Sequence, residues 1–247
     1  MKKLFPPMYD CPEWQQVMMG GFYWVVYFFL LPALLNLIWM AIAPTDFVYA
    51  WICVAYYVLN ALAVAWIFWD YLKESFWIFR YSLGSSFKTI LWGLLALAVL
   101  QIPVLLVYAG GDLGCYVKDI SPFPVADTLF QVSPKASMDF YPGLSAPFFV
   151  TLVPFAMSAL YLTVGFAPAT VKYRRRGYLI VAALAWVSCL FIHLYSRDLE
   201  GLRVTFLSSL PFWLCGCWVY QKTDTIWVPM IFHAAVNLIG ITLYLIV

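Results

Sequence analysis

What this chain has least of is ionisable chemistry. Charged residues fill 11% of its 247 positions, against a usual share of about 25%. Histidine occurs only at His193 and His233, and glutamate only at Glu13, Glu74 and Glu200, so no two glutamates are adjacent. That scarcity excludes an acid-rich or base-rich active site, and nucleic acid is not an expected partner. A disulfide framework is missing too. Five of the six cysteines (Cys11, Cys53, Cys115, Cys189, Cys215 and Cys217) fall in or beside apolar runs, and Cys115 has no companion in its polar loop. On a helix, Cys215 and Cys217 point about 200° apart around the axis, which suits small core residues better than a metal clamp. No tandem repeat is present either.

What is abundant is apolar and aromatic surface. Hydrophobic residues reach 65% and aromatic residues 20%, and the mean hydropathy is +0.87. These values describe an integral membrane protein, an all-α polytopic bundle. Apolar runs of about 18 residues or more are long enough to span the hydrocarbon core. Seven are expected, at roughly 21–43, 47–69, 89–109, 147–171, 178–195, 203–221 and 226–247. The first is too long for a cleaved signal and lacks a small-residue cleavage site. Pro32, Pro103, Pro154 and Pro211 lie inside these runs, where membrane helices tolerate them if neighbours satisfy the freed carbonyls. The sixth run is also compatible with a re-entrant or tilted segment.

Lysine and arginine set the expected orientation. With a cytoplasmic N-terminus, the inner segments hold Lys2, Lys3, Lys73, Arg80, Lys88, Lys172, Arg174, Arg175, Arg176 and Lys222. The outer segments hold Lys118, Lys135, Arg197 and Arg203. Ten against four favours N-in and C-out. The Arg174–Arg176 block reads as a phosphate-snorkelling topology anchor. Residues 70–88 place Leu72, Phe76, Phe79 and Leu83 on one helical stripe, as in a helix lying in the cytoplasmic interface. Residues 110–146 form the longest loop, rich in proline and glycine, on the outer side.

Against this background the two histidines stand out, because an ionisable group inside a span is a functional-site hypothesis by default. His233 and Asn237 are four residues apart, on one helix face with Ala234 and Ala235 between them; Cys189 bears the same relation to His193. No carboxylate or second cysteine completes a metal site, so no metal and no cofactor are expected.

These residues resemble the CAAX-protease and bacteriocin-processing group (CPBP or Abi intramembrane proteases). In that family Glu-Glu-x-x-x-Arg lies on one span, Phe-x-x-x-His on the next and His-x-x-x-Asn on the last motif helix; a glutamate and a histidine activate a water for peptide hydrolysis. The likeness covers roughly residues 147–240. "DTIWVPMIFHAAVN" matches the terminal motif at His233 and Asn237, and "WVSCLFIHL" resembles the middle motif at His193, with Cys189 in place of phenylalanine. The family's spacing puts Leu160, Tyr161 and Gly165 where Glu, Glu and Arg belong. A second register keeps Arg176 but substitutes Val171 and Lys172 for the glutamates and shortens the gap to His193. Asp198 and Glu200 fall at the outer surface by the expected topology.

The chain thus divides into a cytoplasmic N-terminal segment, 1–20, N-terminal spans over 21–146, and a CPBP-like core over 147–247. The expected function is that of a catalytically degenerate member in the plasma membrane. It would scaffold or regulate a membrane-protein or cell-envelope partner, with the lipid bilayer as its surroundings. The alternative is an active CAAX-type peptidase with a non-standard site around His193, His233 and Asn237. A transporter is disfavoured, since the spans hold no buried carboxylate or arginine and no paired broken helices.

Overall fold

A computed structural model describes residues 30–42, 46–108, 110–112, 150–156, most of 178–187 and 199–246, with a few isolated positions before residue 30. Among the described residues every regular element is helical. They comprise α1 (Leu31–Ile42), α2 (Asp46–Ile67), α3 (Trp69–Tyr81), α4 (Leu83–Tyr108), α5 (Leu199–Thr223) and α6 (Trp227–Ile246). Residues 150–156 are helical as well, and a short apolar helix covers Tyr178–Val187. The described part of the chain is all-α.

The core is built around α5. From Pro211 to Tyr220 every side chain is buried or half-buried, so this stretch is enclosed on all sides. Cys215 and Cys217, on opposite sides of the helix, are both buried. Helix α5 packs chiefly along α4, and α6 lies against both. Gly93 on α4 makes that approach possible. A Cβ there would sit 2.7 Å from Val219 Cγ2 on α5 and 3.2 Å from Phe232 Cε2 on α6. The other face of α4 is apolar and open, with Leu91, Trp92, Leu95, Val99, Ile102, Leu106 and Val107 exposed, as on a surface that lipid covers.

The span reading is met in part. Among the described residues one helix, Leu83–Val107, is long and apolar enough to cross a membrane. A second follows only if the bent pair Val54–Trp66 and Tyr71–Tyr81 counts as one span, so the seven-span bundle is not reached by the described residues. Much of the expected fourth and fifth spans, most of loop 110–146 and the Arg174–Arg176 block lie outside them.

The expected interfacial segment, 70–88, is shorter in the structure. Helix α3 ends at Tyr81, and residues 83–88 are the first turns of α4, which therefore starts before the expected 89. Ser82 makes the joint. Its N–H donates to the carbonyls of Ile78 and Phe79 at 3.1 Å each, and its hydroxyl donates to Ile78 O at 2.8 Å, closing α3. Its own carbonyl accepts Ser86 N–H at 2.8 Å, opening α4. A serine that bonds backbone on both sides ends one helix and starts the next without a proline. At the other end of α3, the chain turns by 85° between Val54–Trp66 and Tyr71–Tyr81.

Candidate functional site

Helices α5 and α6 are joined by Asp224, Thr225 and Ile226. Asp224 takes a positive φ of 52° and donates its N–H to Tyr220 O at 2.9 Å. This is the left-handed C-cap that folds a chain back after a helix, so α6 returns against α5. The helix positions that follow carry the motif: Phe232 and His233 on the second turn of α6, Asn237 on the next.

The structure puts His233 in the interior, 1% exposed, with Asn237 at 5%. Both point into the bundle, as their four-residue spacing predicts. The imidazole meets the edge or face of Phe212 on α5 at 4.9 Å between centroids and 69° between planes. Phe212 also stacks with Phe232 at 6.1 Å and meets Trp213 edge-on at 5.5 Å. Phe212 is thus the ring that meets the histidine, and it is itself held between Phe232 and Trp213. Among the described residues, Nδ1 of His233 has no hydrogen-bond partner and no group of three His, Cys, Asp or Glu side chains forms a metal site. A buried polar atom without a partner is uncommon and calls for a reason, such as a bound water, a substrate or stored strain.

Sequence reasoning missed Phe212. It follows Pro211 in a run of large apolar residues, and nothing in that run marks the ring that faces His233. The other family-motif positions, His193, Cys189, Leu160, Tyr161 and Gly165, and the second-register residues Val171, Lys172 and Arg176, lie outside the described residues.

A second feature was not expected at all. Helix α3 is latched to the α5–α6 turn by a cluster of buried hydrogen bonds. Ser75 and Thr225 share a hydroxyl–hydroxyl bond of 2.8 Å, and Thr225 Oγ1 also lies 3.0 Å from Ser75 O. Ile226 N–H donates to Ser75 Oγ at 3.0 Å. That N–H stands at the start of α6, where no intrahelical acceptor exists, so a serine from another helix supplies the cap. Trp227 Nε1 donates to Leu72 O at 2.9 Å, and the Tyr71 and Tyr220 hydroxyls meet at 2.6 Å. The helix carrying His233 thus begins on a turn held from outside by α3.

Beside the motif, α4 and α6 enclose an apolar groove lined by Leu94, Leu97, Gln101, Ile102, Val236 and Ile239. Val236 precedes Asn237 in the chain, but neither His233 nor Asn237 lines the groove. Its lining suits an alkyl chain better than a polar ligand.

Comparison with known proteins agrees with the terminal motif. Residues 161–239 match the family model of the type II CAAX prenyl endopeptidase, Rce1-like. The matched stretch contains His193, Phe212, His233 and Asn237. No curated protein and no solved structure matches the chain. The family is one of integral membrane proteins, which accords with the apolar span Leu83–Val107.

Proposed function

From the match of residues 161–239 to the type II CAAX prenyl endopeptidase (Rce1-like) model, we propose that this chain is a non-hydrolysing member of that family. It resides as a multi-pass protein in the plasma membrane and acts by binding, as a scaffold or regulator of a membrane or cell-envelope partner. The observation that carries this reading is the setting of His233. Its Nδ1 has no carboxylate partner among the described residues, the ring of Phe212 packs against it, and the chain contains no Glu-Glu pair. A general base must come within hydrogen-bond reach of the water it activates. A histidine without a carboxylate keeps the fold and its binding surfaces but loses that step. The groove between α4 and α6 would then receive the alkyl or prenyl chain of a lipid-modified partner.

One observation favours the alternative, an active peptidase. The same unpartnered Nδ1, buried as it is, is the kind of atom that a reacting water or peptide would complete. Incubation of the purified protein with prenylated CAAX peptides separates the two readings, with His233→Ala alongside. The scaffold reading expects no product above background from either protein. Product formed by the wild type and lost in the variant would establish the peptidase instead.

A further inference from the structure

Helix α3 has two unlike faces, and the latch uses only one of them. Inward lie Leu72 and Ser75, buried, and Phe79, half-buried. Outward lies a stripe at helical spacing i, i+4, i+7 and i+8: Lys73, Trp77, Arg80 and Tyr81, all exposed. The Arg80 guanidinium sits 5.3 Å from the Trp77 ring centroid, and Trp77 stacks on Tyr81 at 6.3 Å and 29°. Neither Lys73 nor Arg80 makes an ion pair among the described residues, and Glu74 lies on the neighbouring flank. Lys88, also exposed, follows on the second turn of α4.

The placement of α3 says what this stripe meets. It starts where the chain turns by 85° away from Val54–Trp66, and it ends one residue before the apolar span that begins at Leu83. A helix perpendicular to its predecessor, at the mouth of a span, lies along the bilayer surface rather than across it. Tryptophan, tyrosine, lysine and arginine are the side chains of that layer. A guanidinium held over an indole presents its N–H groups to a phosphate while the ring rests at glycerol depth.

We propose that Lys73, Trp77 and Arg80, with Lys88, bind the phosphate of an anionic phospholipid headgroup in the leaflet along which α3 lies. Because the opposite face of α3 is bonded to Thr225 and Ile226, the bound lipid fixes the turn from which the His233 helix starts. The inference rests on membrane residence and holds whether or not peptide is hydrolysed.

The test uses the full-length protein in neutral detergent, titrated in parallel with phosphatidylglycerol, phosphatidylcholine and inorganic phosphate. Thermal unfolding and native mass spectrometry report binding. Phosphatidylglycerol is expected to raise Tm and to appear as a bound lipid, whereas phosphatidylcholine and inorganic phosphate have no effect. Loss of charge-assisted bonds in Lys73→Gln/Arg80→Gln should weaken the phosphatidylglycerol response by about tenfold or more, while Glu74→Gln leaves it intact. Equal responses to the two lipids, a response to inorganic phosphate, or an unchanged response in the double variant would overturn the site. Hydrogen exchange reads the coupling. Amides at 224–228 should gain protection when phosphatidylglycerol binds, and lose that gain in Ser75→Ala/Thr225→Val although lipid still binds. Protection that does not change with lipid would overturn the coupling.

Discussion

At the scale of single residues, the site depends on one atom that is missing. Gly93 lets α4, α5 and α6 meet, since any side chain there would collide with Val219 and Phe232. Phe232 stacks with Phe212, and Phe212 packs on His233, so a shift at Gly93 is passed to the histidine through two rings. Alanine in place of a helix-interior glycine gains about 1 kcal/mol from propensity. Against this, overpacking a tight core costs about 1–3 kcal/mol. The 2.7 Å contact is with Val219, a buried, β-branched side chain with little room to turn, so the collision should prevail. Gly93→Ala is expected to lower Tm in detergent, and Val219→Ala in that background to recover part of the loss. A Gly93→Ala protein as stable as the wild type would show that the three helices do not meet this closely.

At the scale of elements, the bond network between α3 and the α5–α6 turn holds the start of the helix that carries His233. Removing the Ser75 hydroxyl leaves Ile226 N–H buried without an acceptor, a loss of about 1–3 kcal/mol. Thr225→Val keeps the shape and deletes the bonds to Ser75. Residues sharing one network couple by about 0.5–3 kcal/mol, so the double variant should fall short of the sum of the singles. Tm or denaturant midpoints for the four proteins check this, and strict additivity would dissolve the network into independent contacts. How little of this latch was legible follows from its chemistry. Apolar runs announce α2, α4, α5 and α6 because long apolar runs must be kept from water, and the i, i+4 pair of His233 and Asn237 announces an inward face. Ser75 and Thr225 are 150 residues apart, and a serine on an amphipathic helix looks like any solvated one. The boundary at Ser82 was hidden for a similar reason: the stripe from Leu72 to Leu83 runs through it unbroken in sequence. In the structure Leu72 is buried but Leu83 is exposed, because Leu83 already belongs to the next helix.

At the scale of the whole molecule, the latch constrains topology. Helix α3 touches the α5–α6 turn, so in the multi-pass protein proposed above Ser75 and Thr225 would lie on one side of the bilayer, and an even number of crossings would separate them. On that reading α4 would leave that side, and α5 would bring the chain back to it. The sequence expects two further crossings between them, at about 147–171 and 178–195, which would make four, an even number. The shared side also gathers Lys73, Arg80, Lys88 and Lys222, all exposed, and the positive-inside rule assigns such a face to the cytoplasm. On the same reading α6 would carry the chain away from it. Labelling a cysteine-free background with a membrane-impermeant maleimide tests this arrangement. Ser85→Cys and Lys222→Cys, both at exposed positions, should react only after the cells are permeabilised. A cysteine appended after Val247 should react in intact cells. Reaction of Ser85→Cys and Lys222→Cys from opposite sides would mean that α3 and the turn cannot meet, and the support of the His233 helix by α3 would fall with it.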